Sequence, residues 1–104
     1  MVNLAHVSAG ALREADLCFA LADPKRIDIL RALEKHPCNV NELTMELGLP
    51  QPMTSRHLKI LRERGLVQST RHGVSVTYVL SDRRILQALE LLNEISGKTD
   101  SNVS

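Results

Sequence analysis

Residues 51–73 gather side chains able to grip an anion and to read a pattern of hydrogen-bond donors and acceptors. Gln51 carries both a donor and an acceptor on one amide, the pairing that meets adenine in a bidentate fashion, and Arg56 offers a guanidinium fork for guanine or a phosphate. Lys59 and Arg62 are cations suited to a phosphate backbone, which positions a protein without specifying sequence. Ser55 adds a short hydroxyl between them, and Arg71 and His72 follow at a distance, suited to phosphates or a minor groove. This stretch holds five basic side chains (Arg56, Lys59, Arg62, Arg64, Arg71) against the single acid Glu63, whereas the remaining eight basic residues face eleven acids. The formal net charge is only +1, so the local block is what points to an anionic partner. On charge alone, a solvated helix face explains the block equally well.

Other chemistries find less support. No paired carboxylates, nucleophile and base, or phosphate-binding loop can be picked out, and 104 residues are too few to enclose a deep pocket. The expectation is therefore a non-enzyme without a cofactor. Cys18 and Cys38 are too few for a disulfide scaffold. Cys18 falls on an apolar helix face, where a buried and inert thiol is the plain reading. Cys38 stands beside His36 at a helix start, an environment that lowers a thiol pKa. Across two subunits Cys18 and Cys38 could form a redox pair or bind a soft metal. His57 reads as a packing or capping residue, while His6 and His72 read as solvent-facing. Aromatic residues make up 2% of the chain, Phe19 and Tyr78 alone, which argues against single-strand readers that stack bases on rings. No apolar run reaches membrane-spanning length and no signal pattern opens the chain, so a cytoplasmic protein is expected.

The elements that must position these groups follow from spacing and punctuation. One domain over 1–104 is expected, with tails at 1–7 and 97–104. A first helix fits Ser8–Ala22, with Ser8 as N-cap. Leu12, Ala15, Phe19 and Ala22 share one side of it, and Leu17 and Leu21 lie on another. Asp23-Pro24 opens a second helix to about Lys35, ended by His36-Pro37. Asn39 caps a third with Val40, Leu43 and Leu47 inward, closed by Gly48. A fourth runs from about Gln51 to Arg64 and stops at Gly65. Branched residues over Leu66–Arg71 and Val74–Leu80 then flank His72-Gly73, which reads as a hairpin. Ser81 caps a last helix whose Ile85, Ala88, Leu89, Leu91, Leu92 and Ile95 spread over a wide arc. Two end helices with apolar residues on more than one side cannot both be satisfied by one small core. The surplus suggests a homodimer, with Leu12, Leu17, Leu21, Ala88, Leu91, Leu92 and Ile95 as interface candidates.

The fold expected is mainly α with a β-hairpin: a winged helix-turn-helix in the order four helices, two strands, one helix. The third and fourth helices form the helix-turn-helix, whose second helix enters a major groove. At 100° per residue, Thr54, His57, Leu58 and Leu61 fall on one side of that helix. Gln51, Ser55, Lys59 and Arg62 fall on the other, flanked by Pro52, Arg56 and Glu63. A polar, cationic face opposite an apolar stripe and ahead of a basic-tipped hairpin favours double-stranded DNA over simple solvation. A protein-docking module is the alternative, and it would expose apolar anchors.

These residues also carry a likeness to a known family. The segments Ala20–Ile29 (ALADPKRIDI), Asn41–Leu49 (NELTMELGL) and Thr54–Val67 (TSRHLKILRERGLV), with the hairpin up to Tyr78-Val79-Leu80, resemble the ArsR/SmtB family of bacterial repressors. The likeness covers roughly Leu17 to Leu92, and Ser55–Val67 is its most specific part. It implies a homodimer joined through the first and last helices, and repression from an imperfect palindrome relieved by an inducer. It also implies two places to look for metal ligands. A Cys-x-Cys pair in the third helix would fall on Asn39 and Asn41, poor ligands for soft metals. An Asp-x-His motif in the last helix would fall on Asp82 and Arg84, with Ile95 and Lys98 following near its end; arginine cannot coordinate. Neither set is intact, and the inducer is left open, a thiol or soft-metal signal through Cys18 and Cys38 among the alternatives.

Overall fold

The computed structural model describes residues 6–97. Its elements are α1 (Ala9–Leu21), α2 (Pro24–Lys35), α3 (Val40–Leu47), α4 (Gln51–Glu63), β1 (Val67–His72), β2 (Ser75–Leu80) and α5 (Arg84–Ser96). The tails expected at 1–7 and 97–104 fall mostly outside the described residues.

Local chemistry explains each start. The Ser8 hydroxyl accepts from the Ala11 N–H at 3.0 Å and opens α1. The Asp23 carboxylate accepts from the Lys25 N–H at 2.8 Å, with Pro24 at the first helical position where its missing donor costs nothing. Asn39 and Glu42 form a reciprocal capping box at the start of α3, both bonds 2.8 Å. Gly48 ends α3 at φ 66°, a left-handed conformation that a side chain would strain. A tight link then sets α4 across α3, held by the Thr44 hydroxyl donating to the Thr54 hydroxyl at 3.1 Å.

The strands pair antiparallel, from Val67 opposite Leu80 to His72 opposite Ser75. The two-residue turn is therefore Gly73-Val74, one position later than the His72-Gly73 expected. Gly73 takes φ 63°, and such hairpins place the glycine first in the turn. A further bridge joins Cys38 to Tyr78 through two backbone bonds of 3.1 and 2.7 Å, pinning the link between α2 and α3 to the hairpin.

The core is drawn from the middle of the chain: Ile29, Leu30 and Leu33 of α2, Leu43 of α3, Leu58 and Leu61 of α4, and Leu66 and Val67 leading into β1. Among the described residues, α1 and α5 each bury only one, Ala20 and Leu86. Two expectations change here. Leu17 and Leu21 pack on the chain's own core, so the open side of α1 is the one carrying Leu12 and Phe19, the latter 57% exposed. Ser81 does not cap α5. Its N–H donates to the Leu66 carbonyl at 3.0 Å and keeps it on the hairpin, while Asp82 takes the Arg84 N–H at 2.8 Å.

Leu61→Ala is expected to lower stability by about 2–5 kcal/mol, read by urea denaturation at fixed protein concentration. Met45→Ala, at a site 84% exposed, should stay within about 0.5 kcal/mol. Equal losses at the two sites would contradict this core.

Candidate nucleic-acid interface

The inner side of α4 is fixed by burial of Thr54, Leu58 and Leu61. That leaves Gln51, Pro52, Ser55, Arg56, Lys59, Arg62 and Glu63 exposed on the outer side. The outward face thus carries one amide, one hydroxyl and three cations, with its shorter polar groups toward the N-terminal end. Arg71 and His72 close β1 beside the turn, both exposed. Between the start of α3, the start of α4 and the hairpin lies an open cleft whose polar lining includes Asn39, Asn41, Gln51 and Ser75. Asn41, Ser75 and the exposed Val74 are not among the DNA-facing residues expected from the sequence, because only the packing of hairpin against helix brings them beside Gln51.

One member of the basic run stands apart. Arg64 donates from Nε and Nη2 to the Asp16 carboxylate at 3.3 and 3.1 Å, and its guanidinium carbon lies 5.7 Å from the centre of the Phe19 ring. It ties the end of α4 to α1. His57 is half-buried on the inner side, as a packing residue should be, with Nδ1 3.2 Å from Arg26 Nη1. Burial pushes its pKa below the ordinary 6.5; Asp23 pulls it back up, and Arg26, Lys25 and Arg56 add to the lowering. Arg26 itself carries no helical-wheel signal that could have revealed this contact, since its partner lies 31 residues away.

Three of the positions that the family likeness offers for metal ligands, Asn39, Asp82 and Arg84, are otherwise engaged. Asn39 is a helix cap. The Arg84 guanidinium sits on Asp82 at 2.6 Å and holds that carboxyl down at about 2. Among the described residues, no group of three or more His, Cys, Asp or Glu is placed to hold a metal ion. The thiols also depart from expectation. Cys18 is exposed in the single chain, not buried. Cys38 is only 1% exposed, and burial, followed by the charges of Glu42 and Glu46, pushes its thiol pKa up from 9.0. The helix start beside it does not activate it, because desolvation and two carboxylates outweigh the dipole. Iodoacetamide at pH 7.5 should therefore alkylate Cys38 about tenfold or more slowly in the folded protein than in urea, with the folded rate still rising above pH 9. A fast folded-state reaction would contradict this burial.

Comparison with known proteins agrees with this geometry. The family described as "Bacterial regulatory protein, arsR family" matches residues 23–69, which span α2, the helix-turn-helix and the start of the hairpin. The HTH-type transcriptional regulator NmtR of Mycobacterium tuberculosis is 37% identical over 83 residues, covering 80% of this chain and 69% of that protein. The HTH-type transcriptional regulator CmtR of Mycobacterium bovis is 40% identical over the same length, covering 80% and 70%. The crystal structure of NolR from Sinorhizobium fredii superposes with a TM-score of 0.76 at 32% identity, over 95% of this chain and 97% of that one. With the winged helix-turn-helix shared and the identity extending through it, the chain belongs to the arsR family of bacterial regulatory proteins.

Proposed function

We propose that this regulator works as a homodimer, sets the outer face of α4 in the major groove of double-stranded DNA, and represses transcription from an imperfect palindrome until an inducer releases it. The observation that carries the reading is the outer face of α4, where Gln51, Ser55, Arg56, Lys59 and Arg62 are all exposed and have no core to serve. Gln51 and Arg56, nearer the N-terminal end, suit base edges; Lys59 and Arg62 suit phosphates. Arg71 and His72 would follow the flanking backbone or minor groove. A protein-docking helix would present apolar anchors there, and Pro52 is the sole apolar residue on that face.

The second subunit is supported by the end helices. Leu91, Leu92 and Ile95 on α5 and Leu12 and Phe19 on α1 are large apolar side chains left open, with Ala88 exposed beside them. Exposed apolar area of this kind on a small domain marks an interface, and another copy of the same chain supplies the matching face in an isologous dimer. Release by an inducer and the direction of control rest on family membership.

A footprint of two half-sites about 34–36 Å apart, or a multiple, is expected. Arg56→Ala should weaken binding to a duplex selected from random sequence by about 1–3 kcal/mol, and binding to a scrambled duplex much less; equal losses would overturn base readout by Arg56. Sedimentation gives the check on the dimer: Leu92→Glu with Ile95→Glu should shift the protein to monomers that stay folded, and an unchanged dimer would place the interface elsewhere.

A further inference from the structure

Arg26 is only 7% exposed, yet its charge reaches three elements at once. Nε donates to the Ala20 carbonyl at 2.7 Å and Nη2 to the Phe19 carbonyl at 3.1 Å, which also accepts the Ala22 N–H, so Arg26 binds two carbonyls at the end of α1. Nη1 lies 3.8 Å from the Asp23 carboxylate that caps α2, and 3.2 Å from His57 Nδ1 on α4. A guanidinium has donors only and stays protonated, so His57 Nδ1 must be the acceptor. The ring is then neutral, with its proton on Nε2.

We propose that Arg26 is a positioning residue for DNA reading: through neutral His57 it holds the recognition helix α4 to the end of the dimer helix α1, and a proton on His57 releases the hold. The inference rests on the DNA-reading role of α4. With His57 protonated, two cations that both donate face each other at 3.2 Å with no acceptor between them. Arg26 keeps its two carbonyl bonds, so the imidazole is the group that moves, and the inner side of α4 moves with it. The groups facing His57 are Asp23, Lys25 and Arg26 from the start of α2, the Phe19 and Ala20 carbonyls reached through Arg26, and Arg56 from α4; Asp16 on α1 is engaged with Arg64. Asp23 alone favours the proton, while burial and the three cations oppose it. The held state thus has the lower His57 pKa, so protons favour the released state, and the hold weakens as pH falls through and below 6.5.

DNA phosphates attract added positive charge, so acid should raise binding to arbitrary duplex. Specific reading should fall instead, and this opposition separates the proposal from general electrostatics. The test is fluorescence anisotropy at constant ionic strength between pH 8 and 5.5, with a duplex selected by the protein at pH 8 and a scrambled duplex of equal length. The ratio of the two affinities should drop more than about twofold for the wild type and by about tenfold at most, the ceiling that an imidazole of ordinary pKa 6.5 sets at pH 5.5. In His57→Asn the amide oxygen stands close to the Nδ1 position and cannot titrate. Its ratio should stay within about twofold across the range and match the wild type near pH 8. A pH-independent ratio in the wild type, or the same fall in the variant, overturns the proposal. Nitrogen-15 NMR on the unaltered protein gives a reading that needs neither the variant nor DNA. His57 Nδ1 should be an unprotonated acceptor at pH 7.5, and the amides of Phe19, Ala20 and α4 should shift together as it titrates. A protonated Nδ1, or a titration that leaves those amides still, overturns it too. Failure to select any duplex would sink the DNA reading itself, with the NMR result still deciding the tie.

Discussion

A single buried guanidinium, that of Arg26, constrains how three helices meet. Removing such a charge from water is costly unless every donor finds a partner. The partners here come from separate elements: carbonyls at the end of α1, a carboxylate at the start of α2 and a ring nitrogen on α4. None of these alone would suffice, so the charge is tolerable only when the three are together. The Phe19 ring adds to the junction, with Arg26 5.6 Å and Arg64 5.7 Å from its centre. Removing one partner would leave a donor of the buried cation unpaired, at a cost of about 1–3 kcal/mol.

The apolar core is distributed very differently. α2, α3, α4 and the entry to β1 enclose it, while α1 and α5 each bury one residue fully and pack Leu17, Leu21, Ile85 and Leu89 against it in part. The end helices keep other large apolar side chains open, Leu12 and Phe19 on α1 and Leu91, Leu92 and Ile95 on α5. A side-chain tie between α1 and α4 becomes consequential in that setting. Whatever holds α1 in a dimer also sets where α4 lies, because Arg64–Asp16 and Arg26–His57 join the two at separate points along α4.

Spacing and capping residues made most of this legible before any coordinates. Pro24 to Lys35, the Asn39 cap and Gly48 stop, and the inner stripe of α4 all follow from short-range rules, and they sit where those rules put them. The departures at Ser81 and Cys38 are cases where a distant partner outweighs a local preference. Ser81 looks like a cap, but its N–H is claimed by Leu66 across the hairpin. Cys38 lies beside a helix start that should acidify it, but the Tyr78 bridge draws it into the core, where desolvation wins. Leu17 and Leu21 are half-buried against the chain's own core, a contact that a wheel cannot assign between two apolar sides. Arg26 and His57 are silent in the sequence, since nothing local couples positions that far apart.

The arginines show why a basic run cannot be read as one patch. Arg56, Arg62 and Arg71 keep their charge outward, where long-range attraction to an anion acts. Arg64 belongs to the same run by spacing, yet Asp16 takes its fork and Phe19 its face, so its charge is spent within the fold. Arg26 lies outside the run and is buried, and it still bears on reading by setting the position of the helix that carries Arg56. Each role follows from what surrounds the guanidinium: open solvent leaves a ligand-binding charge, a carboxylate at the helix end makes a brace, and two backbone carbonyls with an imidazole make a hinge pin. Only the last depends on an imidazole that can take up a proton, and the proposed sensitivity to protons enters at that contact, between Arg26 and His57.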